Sequence, residues 1–460
     1  MSAAPERPTT AHWQDLDRRH HIHPFTDSKA LHAKGSAIMT RADGVYIWDT
    51  DGKRYLDGMA GLWCVNVGYG RGELAEAAHR QLLELPYYNS FFQSAHPPAV
   101  ALSARLAELA PPNFNRVFFT NSGSEANDTV VRIVRHYWAS RGKPDKNVVI
   151  SRDYAYHGST VAGASMSGNK SMHQQGNLPI ADIEHIPAPY WYAHGGDDDP
   201  EAFGRRMALA LEEKIQALGE ERVAAFIAEP VQGAGGLVVP PASYWPEIQR
   251  ICDQYEILLV SVEVICGFGR LGQWFGCQHY GVRPDLMAIA KGLSSGYLPI
   301  GGVMVSDAIA EVLIDGGAFY HGFTYSGHPA ACAVALANLD ILAGEQLIER
   351  TREDTGPYLQ SRWQTLADHP LVGEARGQGL LAAVDLTPDK ARRAPFDPVG
   401  SVAPRVRQLC LEHGLITRAL RDVVIVCPPL TITRAQIDDL VDTLARCLDL
   451  TAQSSATAAA

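Results

Sequence analysis

Residues 286–296 read LMAIAKGLSSG: a short apolar run that stops at Lys291 and passes into a loop rich in glycine and serine. A run of this length, bounded by turn residues, is typical of a buried strand. In parallel sheets ligands bind beyond the carboxyl ends of the strands, so Lys291 is a candidate functional residue. Burial there would lower its pKa and make the amine nucleophilic. The alternative is a lysine at a sheet edge whose aliphatic stem packs on apolar surface.

Similar apolar runs recur along the chain, with helical patterns between several of them. The runs lie at residues 116–119, 148–150, 224–227, 257–260 and 302–305. Residues 124–140 carry Val130, Ile133, Val134 and Tyr137 at helical spacing. Short apolar strands joined by helices predict an α/β fold with a mostly parallel central sheet covered on both faces.

The two ends of the chain follow a different pattern. Residues 37–58 predict a β-meander with a turn at DTDG, residues 49–52. After residue 330 we expect a long helix, strands near 379–386, a closing helix near 432–448 and a frayed tail at 451–460. We therefore predict three segments. These are 1–72 as the N-terminal part of a smaller α+β domain, 73–330 as a large domain and 331–460 as the C-terminal part of the smaller domain.

Composition argues against several classes of partner. The chain of 460 residues has a net charge of -11 at pH 7 and no block of like charges, so we expect no nucleic acid partner. The N-terminus is polar and no apolar stretch is long enough to span a bilayer, so we expect no signal peptide, no membrane contact and a cytoplasmic location. None of the eight cysteines forms a Cys-x-x-Cys pair, so we expect reduced cysteines and no metal site.

Two motifs directly follow predicted strands. TNSGSEAN, residues 120–127, opens the helix at 124–140, and backbone N–H groups at the positive end of a helix form a phosphate site. Serine and asparagine are also ordinary N-cap residues, which is the alternative interpretation. YAYHGST, residues 154–160, places an aromatic side chain at a strand end, where it either lies flat on a ring cofactor or packs in the core.

Two further loops carry chemistry-bearing residues. EPVQGAGG, residues 229–236, follows a strand, and its glycines allow close approach of the backbone to a ligand. HGFTYSGHP, residues 321–329, is a polar loop before a helix, and a hydroxyl in it would be able to donate to a phosphate. Each loop is also compatible with a plain turn.

Together and in this order, these motifs resemble those of the class III aminotransferases, a branch of the fold-type I enzymes that use pyridoxal phosphate (PLP). The likeness covers nearly the whole chain and is greatest to the omega-aminotransferases that use pyruvate as amino acceptor. DGMAGLWCVNVGYG at 57–70 and VPPASYW at 239–245 strengthen it. The resemblance implies a fold-type I PLP-dependent transferase whose large domain binds PLP. It also implies an amine donor, a keto acid acceptor and a homodimer with shared active sites.

The resemblance further implies roles for single residues. Lys291 would hold PLP as a Schiff base and then carry the proton between substrate carbon and cofactor. Gly123 and Ser124 would cradle the phosphate, and Tyr156 would stack on the pyridine ring. Thr324 would reach the phosphate of the neighbouring subunit. The other residues placed at the cofactor are Ser122, His157, Glu229, Val262 and Val264.

The same resemblance places aromatic residues and an arginine at the substrate. The pocket residues would be Trp63, Tyr88, Phe91 and Tyr156. Large side chains there favour aromatic or hydrophobic amines, although any one of them is equally compatible with core packing. Arg418 matches a mobile arginine that binds the acceptor carboxylate, and a guanidinium suits two parallel hydrogen bonds to a carboxylate. Arg421 is a rival for this role, and a surface arginine is the alternative for Arg418.

One position departs from the family pattern. Residues 260–270 read VSVEVICGFGR, and Val262 stands where the family has an aspartate that keeps the pyridine nitrogen protonated and the ring an electron sink. Loss of one partner of a buried charge pair costs ~3–5 kcal/mol. If that cost fell on the transition state, the rate would fall by roughly two to four decades. Glu263 is no substitute, because side chains alternate along a strand and it should point away from the face of residues 262 and 264.

Val262 leaves three interpretations open: an engineered or accidental change, a natural enzyme that needs less of the electron sink, or a PLP-binding protein with little catalysis. The candidate functions are correspondingly an aminotransferase, a class III relative that racemises, isomerises or decarboxylates, and a weakly catalytic PLP-binding dimer. A nicotinamide enzyme is a weaker rival, because no Gly-x-Gly-x-x-Gly motif follows the first strand of the parallel region.

Overall fold

The structure, a computed structural model, describes residues 8–459. Its strands are β1 (Met39–Asp43), β2 (Tyr46–Asp49), β3 (Arg54–Asp57), β4 (Arg116–Thr120), β5 (Val148–Arg152), β6 (Ile183–Ile186), β7 (Val223–Ala228), β8 (Leu258–Val262), β9 (Leu286–Ile289), β10 (Gly301–Val305), β11 (Val372–Gln378), β12 (Leu381–Leu386), β13 (Leu415–Ile416), β14 (Arg418–Leu420) and β15 (Val423–Val426). Its helices are α1 (Thr10–His20), α2 (Ser28–Lys34), α3 (Ala60–Trp63), α4 (Gly72–Glu84), α5 (Pro97–Leu109), α6 (Gly123–Ser140), α7 (Val161–Met166), α8 (Lys170–Gly176), α9 (Trp191–His194), α10 (Pro200–Leu218), α11 (Tyr244–Gln254), α12 (Gly276–Tyr280), α13 (Asp307–Asp315), α14 (Pro329–Gly344), α15 (Leu347–Arg350), α16 (Gly356–Gln364), α17 (Ala403–Glu412) and α18 (Arg434–Ala459).

The central sheet is built from the apolar runs that the sequence pattern marks as strands. Its seven strands lie in the order β4-β10-β9-β8-β7-β5-β6, and all are parallel except β10, which runs antiparallel to β4 and β9. Every residue of β7, β8 and β9 is buried, as expected when both faces of a sheet are covered. The predicted α/β fold with a mostly parallel sheet is confirmed. The pattern missed β6, because its sequence IEHI contains no continuous apolar run.

Two smaller sheets are built from the ends of the chain, and one of them joins both ends. The predicted meander forms β1, β2 and β3, and β13 from the C-terminal region adds to it in parallel, with Leu415 opposite Leu56 and Ile416 opposite Asp57. The second sheet has the order β11-β12-β15-β14. The prediction that both termini build the smaller α+β part is therefore confirmed, while the boundaries at residues 72 and 330 stay a prediction.

The closing helix is longer than its apolar pattern indicates. The pattern predicts a helix near 432–448 followed by a frayed tail, but α18 continues to Ala459. This expectation was wrong for the described part of the tail, because alanine has the highest helix propensity and needs no apolar face to extend a helix that is already nucleated. Ala460 lies outside the described residues.

Within residues 8–459, length and apolar composition limit which helices could cross a bilayer. No single helix there is both long and apolar enough to cross a bilayer. One bent pair, Pro329–Gly344 with Leu347–Asp368, meets both criteria together, with an angle of 56° between its parts.

Candidate active site

Lys291 is the second residue after β9 and begins the short 3₁₀ turn Lys291–Leu293. Its backbone is in the left-handed region, with φ of 45°, a conformation that costs energy for a residue with a long side chain. Part of the side chain is accessible, and burial of the rest lowers the pKa of its ammonium group to about 8. The predicted position at a strand end thus gives an amine with a sizeable neutral, nucleophilic fraction near neutral pH.

The Trp63 indole ring lies close to Lys291 and to a second cation, Arg418. The Lys291 Nζ lies 5.8 Å from the centre of the indole ring, and the Arg418 Cζ lies 4.6 Å from it. Trp63 is 3% exposed, and its backbone φ is 59°. Its buried indole Nε1–H has no hydrogen-bond partner among the described residues. Burial also lowers the pKa of Arg418. Three of the predicted site residues therefore meet at one indole ring.

Arg421, the predicted rival of Arg418, makes different contacts. Its guanidinium donates to the carbonyl of Gly235 at 2.8 Å and lies over the Tyr154 ring, 4.8 Å from the ring centre. Arg418 and Arg421 are both in or next to β14, but only Arg418 shares the Trp63 ring with Lys291. The arrangement therefore favours Arg418 as the group that reaches a substrate beside Lys291.

The loop before α6 and the loop after β5 close on each other. The Ser122 hydroxyl caps α6 by accepting from the Glu125 N–H at 3.2 Å, and the Ser124 Oγ accepts from the Ser159 N–H at 3.2 Å. A Cβ atom on Gly158 would lie only 2.6 Å from the Ser124 Oγ, so glycine is required there. The N–H groups of the first turn of α6 are thus presented next to a second loop, as a phosphate cradle requires.

Gly123 and Val264 form the wall next to this cradle. A Cβ atom on Gly123 would lie 3.1 Å from both Cγ atoms of Val264 and 3.7 Å from the Cβ of Ala290, the residue before Lys291. The first residue of α6, the segment after β8 and the end of β9 therefore meet at the carboxyl edge of the sheet. This places two of the predicted cofactor residues beside the lysine.

Glu229 links the Tyr156 loop to the end of β7. Its Oε1 accepts from the Tyr156 N–H at 3.2 Å, and its Oε2, which has no hydrogen-bond partner among the described residues, lies 3.8 Å from the Arg152 guanidinium. Burial raises the pKa of the Glu229 carboxyl to about 7, although Arg152 opposes the shift. Arg152 was not among the predicted residues, although a charged residue at the end of the buried strand β5 is a sequence signal for such a role.

His157 and Phe25 have surroundings that the motifs did not foresee. The fully buried His157 ring turns inward, with its Nε2 2.9 Å from the Ser151 Oγ, and burial lowers its pKa to about 3. The Phe25 ring packs edge-on against Tyr156, with 6.1 Å between ring centres. The segment after α1 therefore reaches the predicted ring-stacking residue, a contact that no local pattern signals.

Val262 has no charge, and the neighbouring Glu263 does not place its carboxylate on the same face of the strand. Val262 is 2% exposed and packs in the apolar cluster between the sheet and α6. The buried Glu263 carboxylate points the other way, accepting from the N–H groups of Gly276 at 2.6 Å and Cys277 at 2.8 Å. The predicted alternation of side chains along this strand is confirmed.

The remaining predicted residues form a separate surface. Tyr87 donates its hydroxyl to the carbonyl of Thr324 at 2.7 Å, and a Cβ atom on Gly322 would lie 2.6 Å from Phe91. Tyr88 and Thr324 are exposed. Within residues 8–459, the side chains of Tyr88, Phe91 and Thr324 make no hydrogen bond, ion pair or ring contact with the cluster of Lys291, Trp63 and Arg418. Within residues 8–459, the predicted site residues therefore fall into two groups, one at Lys291 and one around Thr324.

Comparison with known proteins agrees with this geometry. The sequence pattern of the family Aminotransferase class-III matches residues 29–448. The chain belongs to the class III aminotransferases. It is a PLP-dependent enzyme with the fold-type I architecture that its motifs predict.

Its relatives in the family include enzymes from several bacteria. Putrescine–pyruvate aminotransferase of Pseudomonas aeruginosa is 60% identical over 443 residues, which cover 96% of this chain and 97% of that protein. Diaminobutyrate–2-oxoglutarate transaminase of Halomonas elongata is 46% identical, with 93% of each chain covered. The omega transaminase of Pseudomonas jessenii in complex with PMP has a TM-score of 0.94 and 43% identity, covering 96% of this chain and 98% of that chain.

The residues of this class III aminotransferase fit PLP, with one departure. The glycines Gly123 and Gly158 let the start of α6 approach the loop after β5 closely, so that its backbone N–H groups fit a phosphate, and the buried Trp63 N–H and Glu229 Oε2 have no hydrogen-bond partner among the described residues. The residues that would hold the cofactor are therefore Lys291, Ser122, Gly123, Ser124, Tyr156 and Val264. The departure is Val262, which cannot bond to a ring nitrogen.

Proposed function

We propose that this aminotransferase moves the amino group of an amine or diamine to pyruvate or a similar small keto acid. The observation that carries the proposal is the pair of cations at Trp63, with the Lys291 amine and the Arg418 guanidinium on one indole ring. A keto acid has one carbonyl to react and one carboxylate to bind, which is the pattern that these two groups match. The 60% identity to a putrescine–pyruvate aminotransferase supports the choice of substrates.

Each residue has a separate task in this proposal. PLP, when bound, supplies the electron sink for the reaction. Lys291, with a pKa near 8, exchanges a proton with the substrate carbon from its neutral amine form. Arg418 orients the acceptor through its carboxylate, and Trp63 walls the pocket between the two. A donor amine without a carboxylate would leave Arg418 without a partner, so we expect the guanidinium to move aside for the donor.

The experiment is alanine production from pyruvate with putrescine or a hydrophobic amine as donor, and with 2-oxoglutarate as a competing acceptor. Lys291→Met should abolish turnover. Arg418→Leu should raise the KM for pyruvate by roughly 10- to 100-fold, because a hydrogen bond to a charged group contributes ~1.5–3 kcal/mol. Arg421→Leu is the matched control and should change that KM far less. No alanine from any donor, or an equal effect of both arginine variants, would contradict the proposal.

We further propose that Val262 slows this reaction relative to an enzyme with a carboxylate at the position. The support is that the methyl groups of Val262 lie in an apolar cluster and that Glu263 is already bonded to Gly276 and Cys277. An apolar surrounding favours the neutral form of a ring nitrogen. The chain then works with a weaker electron sink.

Finally, we propose a homodimer with shared active sites and a cytoplasmic location. The exposed aromatic surface around Thr324 supports a second chain seated there, since apolar patches of this kind mark protein interfaces. All eight cysteines are free thiols, which persist in a reducing compartment.

A further inference from the structure

Helix α1 ends in a cluster of two histidines and one aspartate. Asp17 and His21 are one helical turn apart, and the His21 N–H donates to the Asp17 carbonyl at 3.0 Å, which fixes the end of the helix. The Asp17 Oδ1 lies 3.1 Å from the His21 Nδ1 and 2.8 Å from the His23 Nε2. One ligand atom from each residue lies within 4.8 Å of the other two.

These three groups have the chemistry of a transition-metal site. Two imidazoles and one carboxylate are preferred ligands of Zn²⁺ and related divalent ions, and a three-ligand set leaves one position for water or substrate. An aspartate side chain is ionised at neutral pH, so Asp17 offers a carboxylate as ligand. His21 is exposed and His23 is partly buried, so an ion has access from solvent.

Within residues 8–459, the two arginines that follow Asp17 on α1 are paired outside the cluster. Arg18 and Arg19 both turn to the Asp15 carboxylate, at 2.7 Å and 2.6 Å. The carbonyl groups at the C-terminus of α1 also favour a cation. The carboxylate of Asp17 therefore keeps a position facing the two rings.

The residues that follow the cluster lead to the active site. Phe25 comes two residues after His23, is 70% exposed and has a backbone φ of 49°. Its ring meets Tyr156 edge-on at 6.1 Å, although little else covers it. An ion held by His21 and His23 would restrict the turn that sets Phe25 on Tyr156.

We propose that Asp17, His21 and His23 bind one divalent transition-metal ion of the Zn²⁺ class, and that this ion orders the 21–25 turn against Tyr156. The expectation of no metal site rested on cysteine spacing alone. Cysteine spacing gives no information about a histidine pair that is completed by an aspartate on the preceding helical turn.

The first test is metal stoichiometry. Untagged holoenzyme, freed of metal with a chelator and of unbound PLP by desalting, is titrated with Zn²⁺ against a chromophoric chelator at about pH 7.5. We expect one tight Zn²⁺ per chain. His21→Ala and His23→Ala should each weaken it by more than about tenfold, since even removal of a group behind a metal ligand typically costs 10–100-fold.

His20→Ala and His32→Ala are the matched controls, because both remove a histidine of the same segment outside the cluster, and they should bind as the unchanged chain does. Unaltered Zn²⁺ binding by the double variant His21→Ala/His23→Ala would overturn the proposal. So would an equal loss in His20→Ala, since a run of surface histidines rather than this geometry would then hold the ion.

The second test follows the turn itself. Amide hydrogen exchange of residues 21–27 should slow when Zn²⁺ is added to the unchanged chain, and should not change in the double variant. Faster or equal exchange in the unchanged chain would show that the ion does not order the turn. Neither test uses an amine or a keto acid, so both outcomes are independent of whether the proposed transamination holds.

Discussion

Val262 puts two methyl groups where the family resemblance implies a carboxylate, and a Val262→Asp variant tests what the valine does. In Val262→Asp the single-turnover conversion of the PLP-loaded enzyme by an amine donor should speed up by roughly two to four decades. The reason is that a carboxylate stabilises positive charge on the cofactor ring, whereas an apolar site opposes it. Stopped-flow absorbance of the cofactor measures the rate.

Val262→Asn separates charge from shape at the same position. It is nearly isosteric with the aspartate but cannot balance a positive charge, so its rate should stay near that of the unchanged chain. A second readout is thermal stability: PLP should raise the melting temperature of Val262→Asp more than that of the unchanged chain, because an unpaired buried carboxylate is costly. Equal rates in all three chains would mean that another group protonates the ring.

Lys291 offers a prediction about pH. Burial lowers the pKa of its ammonium group to about 8, below the ~10.4 of a free lysine side chain. The neutral amine is the reactive form, so labelling of Lys291 in the PLP-free enzyme should rise with pH around a midpoint near 8. Competitive acetylation, quantified by mass spectrometry against added N-acetyl-lysine, measures this midpoint.

Arg418 provides the control for that measurement. Its charge lowers the pKa of Lys291, so Arg418→Leu should move the labelling midpoint to higher pH. A midpoint equal to that of N-acetyl-lysine in the unchanged chain would contradict the assignment of Lys291 to a desolvated site.

At the scale of elements, Glu263 connects β8 to α12. Its carboxylate accepts from Ser261, Gly276 and Cys277, and the two backbone donors start a helix of only five residues. Glu263→Ala should lower the free energy of unfolding by about 2–6 kcal/mol, because each unsatisfied buried donor costs about 1–3 kcal/mol. Glu263→Gln should lose less, since its amide oxygen can still accept.

Urea unfolding of the holoenzyme measures this loss. Glu311→Ala is the control, because it removes a glutamate from the exposed face of α13. It should change the free energy of unfolding little. If Glu263→Ala unfolded at the same urea concentration as this control, the carboxylate would not be anchoring α12.

At the scale of the whole molecule, the exposed aromatic residues should lie in a dimer interface. Phe92 is 93% exposed, and Tyr87 packs on Tyr325 with 5.9 Å between ring centres. The native enzyme should have twice the mass of the 50.0 kDa chain by light scattering. Phe92→Arg should shift it towards the monomer and reduce turnover, because a charge is costly in an apolar interface.

Ile314→Arg tests whether any new surface charge has this effect. Ile314 is also exposed but lies in α13, outside the 85–96 and 319–328 segments that carry the exposed aromatic residues, so the variant should stay dimeric. A native monomer with full activity would contradict the proposal that two chains share the active sites.

The local pattern of the sequence determined the fold class, most strands of the central sheet and the position of Lys291. Apolar runs and glycine-rich strand ends can be recognised from residues that are neighbours in the chain. A strand that is buried on both faces of a sheet must be apolar throughout, so its sequence identifies it. The alternation along β8 likewise predicted that Glu263 turns away from Val262, because the side-chain period of a strand is two. Most of the family motifs then followed, since they sit where a strand ends.

Only the tertiary structure separated Arg418 from Arg421 and turned His157 inward to Ser151. It also added β13 to the N-terminal meander, set Phe25 on Tyr156, and placed Tyr88, Phe91 and Thr324 on a surface apart from Lys291. These contacts join residues far apart in the chain or depend on how a loop turns its side chains. Their energies come from burial and from hydrogen bonds formed only after the elements pack, so no local pattern carries them.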